Sequence, residues 1–117
     1  MRERGRGRIV NQSDAAADVP HDQYGITKLG VQGITISLAR SLAKDAITVN
    51  CIAAGITDTD ATRDDQASGI GTTRQLVGRR GTSEDLAAAL MWLVGDESDF
   101  VTGQVIRVDG GYVIHPN

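Results

Sequence analysis

The run "YGITKLGVQGITISLARSLAKDAITVNCIAAG", residues 24–55, decides the fold. In its first part Ile26, Leu29, Gly33 or Ile34, Leu38 and Leu42 recur at helical spacing, which predicts a helix over residues 23–44. Gly25, Gly30 and Gly33 would weaken such a helix in isolation. Within a good helical period they predict close approach to another backbone. The character then changes. "ITVNCIAA" is almost unbroken in apolar side chains, as a strand over 47–53 should be when both its faces are covered. Upstream, "GRIVNQS" has the short β-branched run of a strand over 8–12, followed by a polar loop around Pro20. Downstream, Thr82 and Asp85 of "TSED" form a capping box that opens a helix. Its apolar face runs through Leu86, Ala89, Leu90, Leu93 and Val94 to about Gly95. "GQVIRVDGG" predicts a third strand over 104–109 and a closing turn. Alternation of buried strands and helices implies parallel pairing through right-handed crossovers. The class is α/β, with the layout of half a doubly wound sheet. The polar, glycine-containing stretch over 60–78 has the composition of a functional loop or lid.

Bulk properties narrow the function. The 117 residues make one small domain, 40% hydrophobic and 23% charged. A net charge of −3 gives no general attraction to nucleic acid or to anionic membranes. Cys51, the one cysteine, excludes an internal disulfide and fits a reducing compartment; its apolar surroundings suggest a buried, inert thiol. No apolar run reaches membrane-spanning length and no signal-like core follows Met1, so the expected location is cytoplasmic. Arg2, Arg4, Arg6 and Arg8 have no stacking aromatic among them and read as a helix end, a glycine turn and a strand, not as a nucleic-acid arm. His21 and His115 lie outside any metal-ligand spacing, and no metal is expected. Trp92 reads as core or subunit-interface packing, and "DGGY" as a turn.

Tyr24 and Lys28 stand four residues apart, on one face of the predicted helix. A free phenol titrates near ~10, and a neighbouring ammonium draws that value down toward a useful acid/base range. The pair alone also fits an ordinary solvated helix face.

The ordered segments "GRIVNQS", "YGITKLGVQGITISLARSLAK", "ITVNCIAAG" with "TDT", "GRRGTSEDLAAALMWLV" and "VTGQVIRVDGG" extend the signal across practically the whole chain. Together they resemble the C-terminal half of the short-chain dehydrogenase/reductase family. The resemblance implies half of a Rossmann-like sheet, three parallel strands with crossover helices, in a single partial domain over 1–117. It implies hydride transfer between NAD or NADP and a small carbonyl or alcohol substrate, with Tyr24 as acid/base. Lys28 matches the lysine that lowers the tyrosine's pKa and holds the nicotinamide ribose. Ala54 stands where the family's N-x-x-x-P-G segment has proline, and Gly55 keeps its glycine. Thr57 falls where a backbone group meets the nicotinamide carboxamide, and Thr59 matches the threonine that touches the carboxamide or pyrophosphate. The last helix and strand correspond to a surface on which family members form homo-oligomers.

The serine position departs from the pattern. Asp14 stands where the family's substrate-binding serine falls, and Ser13 lies one place earlier. Neighbours in a strand point to opposite sides, so Ser13 could replace it only through a bend or bulge. A carboxylate there has no proton to donate and repels charge developing on a substrate oxygen, unless burial keeps Asp14 protonated. The glycine-rich turn that seats the dinucleotide pyrophosphate would lie upstream of Met1, as would the residues that separate NAD from NADP. The expectation is therefore a truncated member. Its alternative role is that of a non-catalytic remnant that self-associates or pairs with a full-length relative.

Overall fold

Strands β1 (Gly7–Asp14), β2 (Ile47–Ala54) and β3 (Val105–Val108) form one parallel sheet in the order β1-β2-β3. The computed structural model describes residues 1–19, 22–62 and 74–114. Val49, Cys51 and Ala53 on one face of the central strand and Asn50, Ile52 and Ala54 on the other are all buried, which accounts for the nearly unbroken apolar run. β1 pairs with β2 without interruption from Gly7 opposite Ile47 to Asp14 opposite Ala54. No bulge intervenes at Ser13, so Ser13 and Asp14 face opposite sides of the sheet.

Helix α1 (Gln23–Leu42) starts at Asp22, whose side chain accepts a 2.8 Å hydrogen bond from Gly25 N. Its buried side is not the one the apolar spacing predicts. Gly25, Gln32, Thr35 and Ala39 face inward, while Ile26 and Ile34 are 63% and 57% exposed and Leu29 also points outward. The inward polar groups have partners. Thr35 Oγ1 accepts from Asn11 Nδ2 at 2.9 Å and donates to the Val31 carbonyl at 2.9 Å. Ala39, small and buried, packs with Leu38, Leu42, Ile9, Ile47 and Val49 in the core. Gly30 and Gly33 belong to the outward face, where a Cβ would meet nothing within 4 Å. The backbone approach expected for those two glycines is absent among the described residues.

The arginine-rich start forms the short helical turn Arg2–Arg4, a left-handed Gly5 and then β1. Arg2 pairs with Asp45 at 2.9 Å, and Arg6 and Arg8 pair with Asp96 and Asp99, tying the sheet's amino end to two loops. Asn50, buried in β2, donates to the Val101 carbonyl at 2.9 Å and accepts from Gln104 N at 3.1 Å, which fixes the entry to β3.

Helix α2 (Ser83–Val94) opens with the predicted capping box: Thr82 Oγ1 accepts from Asp85 N and Asp85 Oδ2 accepts from Thr82 N. Leu93 is fully buried, whereas Leu90, Val94 and Trp92 are exposed, so Trp92 is not a core residue of this chain. Arg79 grips Asp85 through two hydrogen bonds, of 2.6 and 2.9 Å. Those bonds, and after them the Thr82 N–H, hold the Asp85 carboxyl well below the usual carboxylate range. Its contribution to stability is therefore present above the unfolded carboxyl pKa near ~4 and is lost as pH falls through the lower folded value. Thr82→Ala is expected to lower stability by about 1 kcal/mol, measured by urea unfolding. Among the described residues no helix is long and apolar enough to cross a membrane, and no cluster of three potential metal ligands occurs.

Candidate active site

β1 and β2 end side by side, and a cleft of about 540 Å³ opens at their carboxyl ends. Asp14, the last residue of β1, lines it. Its Oδ1 accepts from Ala16 N at 2.8 Å and caps the turn Ala15–Ala17; its Oδ2 accepts from the Tyr24 hydroxyl at 3.2 Å. Ser13 does not reach the cleft. It is 1% exposed, and its hydroxyl donates to the Lys28 carbonyl at 2.9 Å, fastening α1 to β1.

Tyr24 lies in the first turn of α1, 50% exposed. One turn on, Lys28 Nζ sits 5.4 Å from the centre of the Tyr24 ring. The Tyr24 pKa is raised above the ordinary phenol value, first by burial, then by the charge of Asp14 and its hydrogen bond, and lastly by Asp22. The direction is opposite to the one that Lys28 alone would give.

The other wall grows from the end of β2. Gly55 N donates to the Val108 carbonyl at 3.0 Å, and Ile56 N to Gln75 Oε1 at 2.9 Å. Thr57 pairs with Gly81 in a parallel bridge, and its hydroxyl donates to the Gly55 carbonyl at 3.0 Å. Thr59 and Thr62 share a hydrogen bond of 3.1 Å between their hydroxyls, and Arg80 Nη1 donates to the Thr62 carbonyl at 2.9 Å. Ala54, Gly55, Thr57 and Thr59 thus share one cleft with Asp14 and Tyr24; Lys28 joins them through the Tyr24 ring and Ser13 stands apart.

Four contributors escaped the sequence reading. Gln75 is buried and crosslinks Ile56 N to the Arg79 carbonyl; Thr62, Arg80 and Tyr112 line the cleft. "DGGY" is a turn, with Asp109 accepting from Gly111 N at 2.9 Å and Val113 N at 3.1 Å, and that turn carries Tyr112 to the cleft. Within the expected lid over 60–78, residues 63–73 lie outside the described residues, as do His21 and His115.

A family model described as enoyl-(acyl carrier protein) reductase matches residues 1–113. An uncharacterised oxidoreductase of Mycobacterium tuberculosis is 43% identical over 117 residues, covering 97% of this chain and 47% of its own length. A solved short-chain type dehydrogenase/reductase from Mycobacterium ulcerans superposes with a TM-score of 0.91 at 34% identity, over 100% of this chain and 45% of that one. The chain belongs to the short-chain dehydrogenase/reductase family. It spans about half the length of the curated relatives it matches, 47% of the Mycobacterium tuberculosis protein. A family structure from Agrobacterium tumefaciens, classed as a 2-deoxy-d-gluconate 3-dehydrogenase with bound NADP, has a TM-score of 0.86 at 34% identity over 97% of this chain and 49% of that one. The three parallel strands and their helices are the Rossmann-like arrangement of the short-chain dehydrogenase/reductase fold.

Proposed function

We propose that residues 1–117 act as one partial Rossmann-like domain, the catalytic half of an oxidoreductase that interconverts a carbonyl and an alcohol, with Tyr24 as the acid/base. The observation that carries this reading is the Tyr24 hydroxyl at the mouth of the cleft where two parallel strands end, with Lys28 one helical turn on. A raised phenol pKa keeps Tyr24 protonated at neutral pH, ready to give its proton to a substrate oxygen during reduction. The Lys28 ammonium favours the phenolate left behind. NAD or NADP, when bound, supplies the hydride. The wall from Ala54 to Thr59 suits its amide end, since Thr57 and Thr59 line the same cleft as Tyr24. Tyr24, Lys28, Ala54, Gly55, Thr57 and Thr59 are the residues that would hold it. A single cysteine, with no second one in the chain to pair with, fits the expected reducing, cytoplasmic setting.

A second reading, a non-catalytic module that pairs with itself or with a longer relative, is favoured by the exposed apolar side chains of the last helix and the loop after it, among them Met91, Trp92 and Phe100. One experiment separates the two. The purified chain is titrated with NADPH and NADH by fluorescence, then assayed for carbonyl-dependent oxidation of the cofactor, with its mass followed by light scattering. Saturable binding with turnover supports the enzyme. No binding up to about 1 mM, where the binding free energy is only ~−4 kcal/mol, together with a concentration-dependent mass, supports the second reading.

A further inference from the structure

The feature that the acid/base reading leaves unexplained is Asp14. A carboxylate 3.2 Å from the Tyr24 hydroxyl stands where negative charge develops when a carbonyl is reduced. Among the described residues no Lys or Arg forms an ion pair with Asp14, and its charge is met there only by hydrogen bonds. Each carboxylate oxygen accepts one hydrogen bond, from Ala16 N and from Tyr24, and keeps a lone pair for another donor. Among the described residues the other ionisable groups lining the cleft are Tyr24, Arg80 and Tyr112, and Arg80 is tied to the Thr62 carbonyl.

We propose that Asp14 is a specificity residue that receives the ammonium group of a vicinal amino ketone or amino alcohol, while Tyr24 serves the neighbouring substrate oxygen. This rests on the acid/base reading of Tyr24 and names the substrate class of the same site. The separation fits, because adjacent nitrogen and oxygen atoms of such a molecule lie one hydrogen-bond length apart, as Oδ2 of Asp14 and Oη of Tyr24 do. The charges fit as well. An ammonium placed between the carboxylate and the forming alkoxide turns a repulsion into two charge-assisted hydrogen bonds. In the reducing direction the carbonyl carbon would take the hydride that a bound reduced nicotinamide supplies as that cofactor becomes oxidised, the π electron pair would move to oxygen, and oxygen would take the Tyr24 proton. Tyr24 would be left as the phenolate, and the ammonium and carboxylate would end unchanged.

The test compares three alcohols of nearly equal size, 1-amino-2-propanol, 1,2-propanediol and 2-butanol, by NMR titration of the chain and of its Asp14→Asn and Tyr24→Phe variants. Asp14→Asn keeps an oxygen for Ala16 N, and circular dichroism checks its fold. The amino alcohol should bind more tightly than 2-butanol by about tenfold or more, the size of a net charge-assisted hydrogen bond. Asp14→Asn should erase that preference, and Tyr24→Phe should keep it. Equal binding of the three, a preference unchanged in Asp14→Asn, a diol as strong as the amino alcohol, or no saturable shift with any of them overturns the proposal. Tyr24-dependent turnover of simple ketones without ammonium preference would sink this inference and leave the acid/base reading standing. An Asp14-dependent preference in a chain whose turnover ignores Tyr24 would overturn the acid/base reading and with it the pairing of Asp14 and Tyr24 proposed here.

Discussion

Tyr24→Phe is expected to lower carbonyl-dependent cofactor oxidation by about 10²- to 10⁴-fold, the usual worth of a positioned acid/base. Stability should hardly change. The hydroxyl's partner is an exposed contact with Asp14, and the ring, half exposed, remains in place to meet Lys28. Steady-state assays beside urea unfolding check both halves of this expectation. The pH dependence has a definite sign. Burial and Asp14 raise the Tyr24 pKa, so the proton donor stays loaded through neutral pH and reduction declines only in alkali. Alcohol oxidation, which needs the phenolate, should climb over the same alkaline range. Asp14→Asn removes the charge of Asp14 as a cause of the upward shift, so both profiles should move to lower pH. The linkage to folding runs the same way. Stability from the raised phenol is fully present below the unfolded value near ~10 and is lost as pH rises through the folded one. A Tyr24→Phe chain with unchanged turnover would remove the tyrosine from the chemistry.

The legible parts of the molecule are those in which a local pattern fixes the answer. β2 could be read because a strand covered on both faces has no polar alternation to disguise it, and α2 because Thr82 and Asp85 satisfy each other three residues apart. α1 could be located but not oriented. Its apolar residues are split between two faces, and the choice went to the side where Thr35 and Gln32 find partners on β1, a contact that no helical period reveals. The same holds at the site. Asp14, Tyr24 and Lys28 stand close in sequence and on regular elements, and the unbroken β1–β2 register places Asp14 rather than Ser13 at the cleft. Gln75, Arg80 and Tyr112 reach it only through the folding of loops after β2 and β3, where local sequence carries little geometric information.

Gly55→Ala should be among the most damaging single substitutions, costing about 3 kcal/mol as a forced overpacking. A Cβ on Gly55 would lie 2.5 Å from the Asp109 Cα and 2.8 Å from the Asp109 carbonyl oxygen. Both are backbone atoms, so no rotamer change relieves the clash. Either β3 or the turn after it has to move. Displacement there would break the 3.0 Å bond from Gly55 N to the Val108 carbonyl and shift the Asp109 turn that carries Tyr112. The cleft would lose part of its wall along with the stability. Gly30→Ala provides the opposite case in the same chain. A Cβ there meets nothing within 4 Å, and the residue lies inside α1. Ala should therefore raise stability by roughly 0.8–1 kcal/mol through helix propensity alone. Urea midpoints measured on both variants should move in opposite directions. A shift of the same sign for both would mean that close backbone contact at Gly55 is not what holds β2 against the end of β3.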